Sequence, residues 1–130
     1  MKYGLIGEKL GHSFSREIHG KIADYEYELR EISGDGLDGF MKARDFLGIN
    51  VTIPYKEAVM PYLDEIDYKA MLIGSVNTIV NNDGKLYGYN TDFYVRNVHH
   101  VFKSSLNMFI FFSVSFVFYL IISNSGLHTG

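Results

Sequence analysis

Apolar residues recur along the first two thirds of the chain at two spacings, one suited to strands and one to helices. Residues 3–7, Tyr-Gly-Leu-Ile-Gly, read as a short buried strand. Ser13 or Ser15 can cap a helix whose apolar positions, Ile18 and Ile22, lie four apart. Residues 25–32 alternate, with Tyr25, Tyr27 and Leu29 on one side and Glu26, Glu28 and Arg30 on the other. That pattern predicts a half-exposed strand towards a sheet edge. Leu37, Phe40, Met41 and Leu47 fit the inner face of a helix, and Gly48 stands where such a helix would end. Residues 49–53 predict the next strand, with Asn50 and Thr52 on one face and Pro54 stopping it for want of an N–H. Residues 57–72 predict a helix in two pieces, broken at Pro61. Residues 75–81 and 85–89 predict two strands joined by Asn82-Asp83-Gly84, a hairpin signal. Asn90-Thr91-Asp92 can cap a further helix. The succession predicts an α/β fold: a mainly parallel sheet with an antiparallel hairpin portion and helices on both faces.

The pattern breaks near Tyr94. All 15 acidic residues lie at or before Asp92, and six of the ten Phe lie after residue 95. The expected division is a folded domain over residues 1–94 and an apolar tail over 95–130. At 130 residues one domain is the default. There is no cysteine, so neither disulfides nor thiolate zinc sites hold the fold. The net charge of −3 gives no reason to expect nucleic acid. Met1-Lys2-Tyr3-Gly4 runs into a strand rather than an apolar leader, which fits a cytoplasmic protein.

The chemistry concentrates in Asn50-Val51-Thr52-Ile53-Pro54-Tyr55-Lys56. A strand end that carries an amide, a hydroxyl and an ammonium can grip a small polar molecule. Read alone, it is more simply a buried strand with two satisfied polar side chains and a surface lysine. Ser13 and Ser15 at a helix start suit a cap or a carboxylate, since the orphan N–H groups there favour an anion. Asn77 falls in a strand pattern and needs partners if buried, either structural or from a ligand. Lys56 and Asp92 can position and exchange protons if they meet. Two features are set aside. Gly34-Asp35-Gly36-Leu37-Asp38-Gly39 matches G-x-G-x-x-G, but Asp35 and Asp38 would repel a pyrophosphate and Gly39 falls inside a helical pattern. His12 and His19 have no metal-ligand spacing with the other histidines, so no metal site is expected.

Taken together the sequence resembles the N-terminal, substrate-binding domain of shikimate dehydrogenase. Four motifs carry the resemblance over residues 1–94: Gly11-His12-Ser13-Phe14-Ser15 with Ile18-His19; Asn50 to Lys56 as above; Gly74-Ser75-Val76-Asn77-Thr78; and Gly88-Tyr89-Asn90-Thr91-Asp92. Arg16, Gly20 and Ser75 stand where the family commonly has proline, asparagine and alanine. The resemblance implies NADP-dependent interconversion of 3-dehydroshikimate and shikimate, a late step towards chorismate and the aromatic amino acids. It implies that Ser13 and Ser15 bind the substrate carboxylate and that Asn50, Thr52, Asn77 and Asp92 bind ring hydroxyls. It makes Lys56 and Asp92 the catalytic pair, with Lys56 handling the proton at the carbonyl being reduced. A site built to pair many hydroxyls rejects analogues that lack one.

After Asp92 the resemblance stops. Residues 95–130 hold no glycine before Gly126, no acidic residue and no alanine, so the family's glycine-rich NADP turn is not found there. The expectation is a truncated enzyme that binds no cofactor and turns over nothing alone. A stand-alone shikimate-binding module is the alternative, and a membrane-anchored remnant the third. Residues 106–122 carry no charge and would reach roughly 26 Å as a helix, slightly under a hydrocarbon core of about 30 Å. The same residues suit an aggregation-prone strand. The abrupt change in composition favours a frameshifted or fused tail over either.

Overall fold

The computed structural model describes residues 1–11, 16 and 25–91. Strands β1 (Tyr3–Gly7) and β2 (Tyr27–Glu31) precede a 3-10 turn, Gly34–Gly36, and helix α1 (Leu37–Ala43). Strand β3 (Gly48–Val51), a second 3-10 turn Met60–Tyr62, strand β4 (Glu65–Ile66) and helix α2 (Tyr68–Ile73) come next. Strands β5 (Thr78–Asn82) and β6 (Lys85–Tyr89) close the described part. Together the strands form one six-stranded sheet in the order β2-β1-β3-β5-β6-β4. The β1–β2, β1–β3 and β4–β6 pairs are parallel, and β3–β5 and β5–β6 are antiparallel. This is the expected α/β architecture, a mainly parallel sheet with an antiparallel hairpin.

The register divides the side chains between two faces. Ile6, Ile49, Val51, Ile79 and Leu86 share one face, and they pack with Leu37 and Met41 of α1 into the main core. Ile6, Met41, Ile49, Ile79 and Leu86 have no exposed surface, and each such side chain stabilises the fold by about 2 kcal/mol through burial. The other face carries Leu5 and Tyr27, packed with Leu10 and flanked by Tyr3, Tyr25 and Leu29. On the same face, further along the sheet, stand Asn50 and Thr78.

Several local expectations shift. Strand β1 forms over residues 3–7, and β2 lies at the sheet edge as its alternation predicts. The hairpin turn is tighter than expected: Asn82 is the last residue of β5, and Asp83 and Gly84 turn the chain at φ 51° and 89°. Two positive φ values in succession match the twist of an antiparallel pair. Gly48 does not end a helix. Helix α1 stops earlier, at Ala43, with Arg44 in the left-handed conformation, and Gly48 opens β3. Phe46, not Leu47, enters the core; Leu47 is exposed. The expected two-piece helix over 57–72 is a 3-10 turn that contains Pro61, then β4 and α2. Proline fits the first turn of such a helix because its missing N–H has no partner there anyway. The helix expected after Ser15, the helix expected after Asp92, and the apolar tail lie outside the described residues. Among the described residues, no helix is long and apolar enough to cross a membrane.

Candidate functional site

Strand direction gathers the candidate residues at one edge of the sheet. The parallel strands β1 and β3 end there, at Gly7 and Val51. Antiparallel β5 begins beside the end of β3, with Thr78 opposite Asn50, and β6 ends beside it, with Tyr89 opposite Thr78. Ligands of α/β proteins commonly bind outside the carboxyl ends of the strands. Three backbone bonds carry the ladder past the strands: Val51 N–H donates to Asn77 O at 2.8 Å, Val76 N–H to Lys56 O at 2.8 Å, and Asn77 N–H to Tyr89 O at 3.0 Å. Lys56 and Asn77 are thereby held on adjoining segments, although 21 positions separate them in sequence.

A buried polar chain runs through this edge. The Tyr27 hydroxyl donates to Asn50 Oδ1 at 2.8 Å. Asn50 Nδ2 donates to Thr78 Oγ1 at 3.3 Å and, at 3.5 Å, to Asn77 O. The Thr78 hydroxyl donates to Asn77 Oδ1 at 3.1 Å. Asn77 Nδ2 donates to Thr91 Oγ1 at 2.8 Å, and Thr91 N–H returns a bond to Asn77 Oδ1 at 3.0 Å. Next to it, Asn90 Nδ2 donates to Ser75 O at 2.9 Å and to Ser75 Oγ at 3.0 Å. Asn50, Asn77, Thr78, Asn90 and Thr91 are the buried polar residues among those described. Burying an amide costs a few kcal/mol unless its bonds are made, and no buried side-chain polar atom among the described residues lacks a partner. Burial, and then the neighbouring Tyr25, push the Tyr27 hydroxyl well above the ordinary tyrosine range. It therefore stays protonated and donates. The proton on Tyr27 fixes Asn50 Oδ1 as acceptor, and this orients the Asn50 amide towards Thr78.

Among the sequence-derived candidates, Asn50 and Asn77 meet in this chain. Thr52 lies just past β3 rather than inside it: its N–H still donates to Ile6 O at 3.0 Å, while its carbonyl accepts from Tyr55 N–H in a turn. Asn77 likewise precedes β5 instead of lying in it. Lys56 is half-buried in the turn after Pro54. Space above the end of β1 is limited, since a Cβ on Gly7 would meet Thr52 Cγ2 at 2.7 Å and Leu10 Cδ2 at 2.8 Å. Ser13, Ser15 and Asp92 lie outside the described residues. Sequence reasoning missed Tyr27, Thr78, Asn90 and Thr91 as parts of the network. A signal was there: Asn-Thr occurs at 77–78 and again at 90–91, beside two predicted strands, and a tyrosine on an inward-facing strand position needs a partner for its hydroxyl.

The glycine motif at residues 34–39 is a 3-10 turn running into α1, with Gly39 inside the helix. Asp38 in the first turn of α1 pairs with Lys42 at 2.9 Å and accepts from the Tyr62 hydroxyl at 2.9 Å. A carboxylate held at that position does not fit a dinucleotide phosphate.

Comparison with known proteins gives one consistent result. Residues 5–79 match the family model described as the shikimate dehydrogenase substrate binding domain. The chain is 51% identical over 100 residues to a shikimate dehydrogenase (NADP(+)) of Clostridium perfringens, covering 71% of this chain and 37% of that protein. It is 54% identical over 98 residues to a shikimate dehydrogenase (NADP(+)) of Halothermothrix orenii, covering 68% of this chain and 34% of that protein. Among solved structures, shikimate 5-dehydrogenase from Thermus thermophilus in complex with NADP(H) and shikimate superposes with a TM-score of 0.68 at 32% identity, over 75% of this chain and 40% of that one. The chain spans little more than a third of the length of the curated relatives it matches.

Proposed function

Since the chain belongs to the family of the shikimate dehydrogenase substrate-binding domain, we propose that residues 1–94 form a pocket for shikimate or 3-dehydroshikimate. The observation that carries this reading is the buried amide and hydroxyl chain Tyr27-Asn50-Thr78-Asn77-Thr91 at the carboxyl edge of the sheet. A polyhydroxylated ring needs oriented donors and acceptors, and a buried, fully bonded network orients them before a ligand arrives. In this reading Ser13 and Ser15 bind the carboxylate, and Asn50, Thr52, Asn77 and Asp92 take the ring hydroxyls. Lys56 and Asp92 are the catalytic pair, and Lys56 holds the proton at the carbonyl oxygen that becomes the hydroxyl.

The family's relatives are NADP(+) enzymes. In this chain the one glycine-rich motif does not fit the nucleotide, and residues 95–130 bring no such turn. In this reading residues 1–94 bind the ring, and residues 1–130 supply no glycine-rich turn for the nucleotide. The test is a pair of measurements on the purified chain. Titration calorimetry with shikimate gives binding heat, which Lys56→Ala weakens at least tenfold. An NADPH oxidation assay with 3-dehydroshikimate gives no turnover. Absence of heat at millimolar shikimate sinks the binding reading, and clear turnover sinks the reading of an isolated half-site.

A further inference from the structure

Helix α2 turns its large apolar residues away from the core. Ala70 is the residue it buries. Tyr68, Met71 and Leu72 stand at i, i+3 and i+4, the spacing of one helix face, and each is more than half exposed. Ile73 beside them is exposed as well. Together they open a patch on the order of several hundred Å², comparable with the largest on a typical monomer, and such patches are often functional. The helix does not need this face to stay in place. Asp67 caps its start by accepting from Lys69 N–H at 3.1 Å, and Asp67 N–H donates to Gly88 O at 2.8 Å. Gly74 ends it in the left-handed conformation, with its N–H donating to Ala70 O at 2.9 Å. Among the described residues nothing covers the stripe.

The path of the chain points to what does. Thr91, the last residue described, is held to Asn77 by two bonds, and Asn90 is held to Ser75 at 2.9 Å and 3.0 Å. Ser75 follows the Gly74 that ends α2, so the chain leaves the described fold beside the C-terminal end of this helix. Residues 92–105 come next, 14 positions that reach at most about 50 Å when extended, against a helix only about 9 Å long. They lead to residues 106–122, which hold no charge and include Phe109, Phe111, Phe112, Phe116, Phe118 and Tyr119. A run of this kind gains from apolar cover in water just as the stripe does. A tether of this length sets its effective concentration at the helix on the order of millimolar, which a second copy in dilute solution does not reach.

We infer that residues 106–122 fold back on their own chain and cover the Tyr68-Met71-Leu72 stripe of α2.

The chain has no cysteine, so introduced pairs report contacts without interference. In the full chain under mild oxidation, Leu72→Cys with Ser113→Cys is expected to form an intrachain disulfide at a rate unchanged by tenfold dilution. It should form at least tenfold faster than Glu28→Cys with Ser113→Cys, because β2 lies at the opposite end of the strand order from β6 and β4. Limited proteolysis gives a second reading: chymotrypsin should cut the parent within residues 109–119 at least tenfold more slowly than it cuts Leu72→Glu, an exchange at an exposed position of the helix. Equal rates for the two cysteine pairs overturn the inference, and so do cross-links between chains in place of those within one. Equal cutting of parent and variant overturns it too. So does a tail shielded only after phosphatidylcholine vesicles are added, which assigns residues 106–122 to a bilayer.

Discussion

Two polar networks sit at opposite ends of the same sheet, and they differ in what surrounds them. At the carboxyl edge, Asn50, Asn77, Thr78 and Thr91 are each no more than 6% exposed. At the other end, Arg44 joins separate loops. Its guanidinium donates to Asp64 Oδ2 at 2.6 Å, to Gly84 O at 2.5 Å and to Tyr62 O at 3.3 Å. Asn81 Nδ2 holds the main chain there by donating to Arg44 O at 2.9 Å and to Phe46 O at 2.8 Å. The Arg44 and Asp64 side chains remain about a third exposed. Water can replace what is lost at this second network, but not at the first. The exposed network secures the turn that lets Arg44 adopt its left-handed conformation. The buried one carries a desolvation cost that loop closure does not require, and it lies where the ring is proposed to bind.

The contrast can be broken most sharply at Asn77. Asn77→Ala removes the partner of Thr91 at two atoms and of the Thr78 hydroxyl. It is expected to lower stability by about 3 kcal/mol, on the order of 15 °C in Tm for a domain this size, and calorimetric melting measures it. Tyr27→Phe comes next. It removes one oxygen and leaves Asn50 Oδ1 without that donor, at an expected cost of about 1 kcal/mol in denaturant unfolding. The side-chain amide resonance of Asn50 should shift more than any other asparagine signal; an unchanged resonance would separate Tyr27 from the network.

The smallest effect is expected at the exposed end, and it depends on pH. The Leu86 N–H, and after it the Arg44 guanidinium, hold the Asp64 carboxyl below its ordinary value of 3.8. A carboxyl whose folded pKa is depressed adds stability that is complete above the unfolded value and is lost as pH falls through the folded one. Asp64→Asn should therefore melt slightly below the parent at neutral pH, and the gap should close as pH drops beneath about 4. A gap independent of pH would assign the effect to packing.

Much of this was legible in the chain itself, for identifiable reasons. Strand β1 and the Asp83-Gly84 turn depend on local chemistry, namely an apolar run and two residues that accept positive φ. Edge position for β2 followed from Glu28 and Arg30, charged side chains on the face where the inner strands carry Ile6, Ile49 and Val51. Where long-range contacts decide, the pattern misled. Arg44 takes a left-handed conformation more often filled by glycine, held by Asp64 and Asn81 from 20 and 37 positions away, so the helix ends before Gly48. Phe46 displaces Leu47 from the core for the same reason, because the earlier stop rotates the residues after Arg44. Asn50 and Asn77 were legible as candidates because an amide inside an apolar strand pattern is conspicuous. Thr78 and Thr91 were not, since threonine is at home in strands and turns whether or not its hydroxyl is employed.

The bonds at Asn77 also limit what vocabulary the pocket can read. Its Oδ1 accepts from the Thr78 hydroxyl and from Thr91 N–H, so both lone pairs of that oxygen are committed inside the protein. In the proposed binding mode a ring oxygen meets this amide on its Nδ2 side, which also donates to Thr91 Oγ1 at 2.8 Å. A hydroxyl or keto oxygen can accept there, whereas an ammonium cannot accept and finds the Asn77 oxygen already committed. In that reading Asn77 is a filter on the sign of the hydrogen bond.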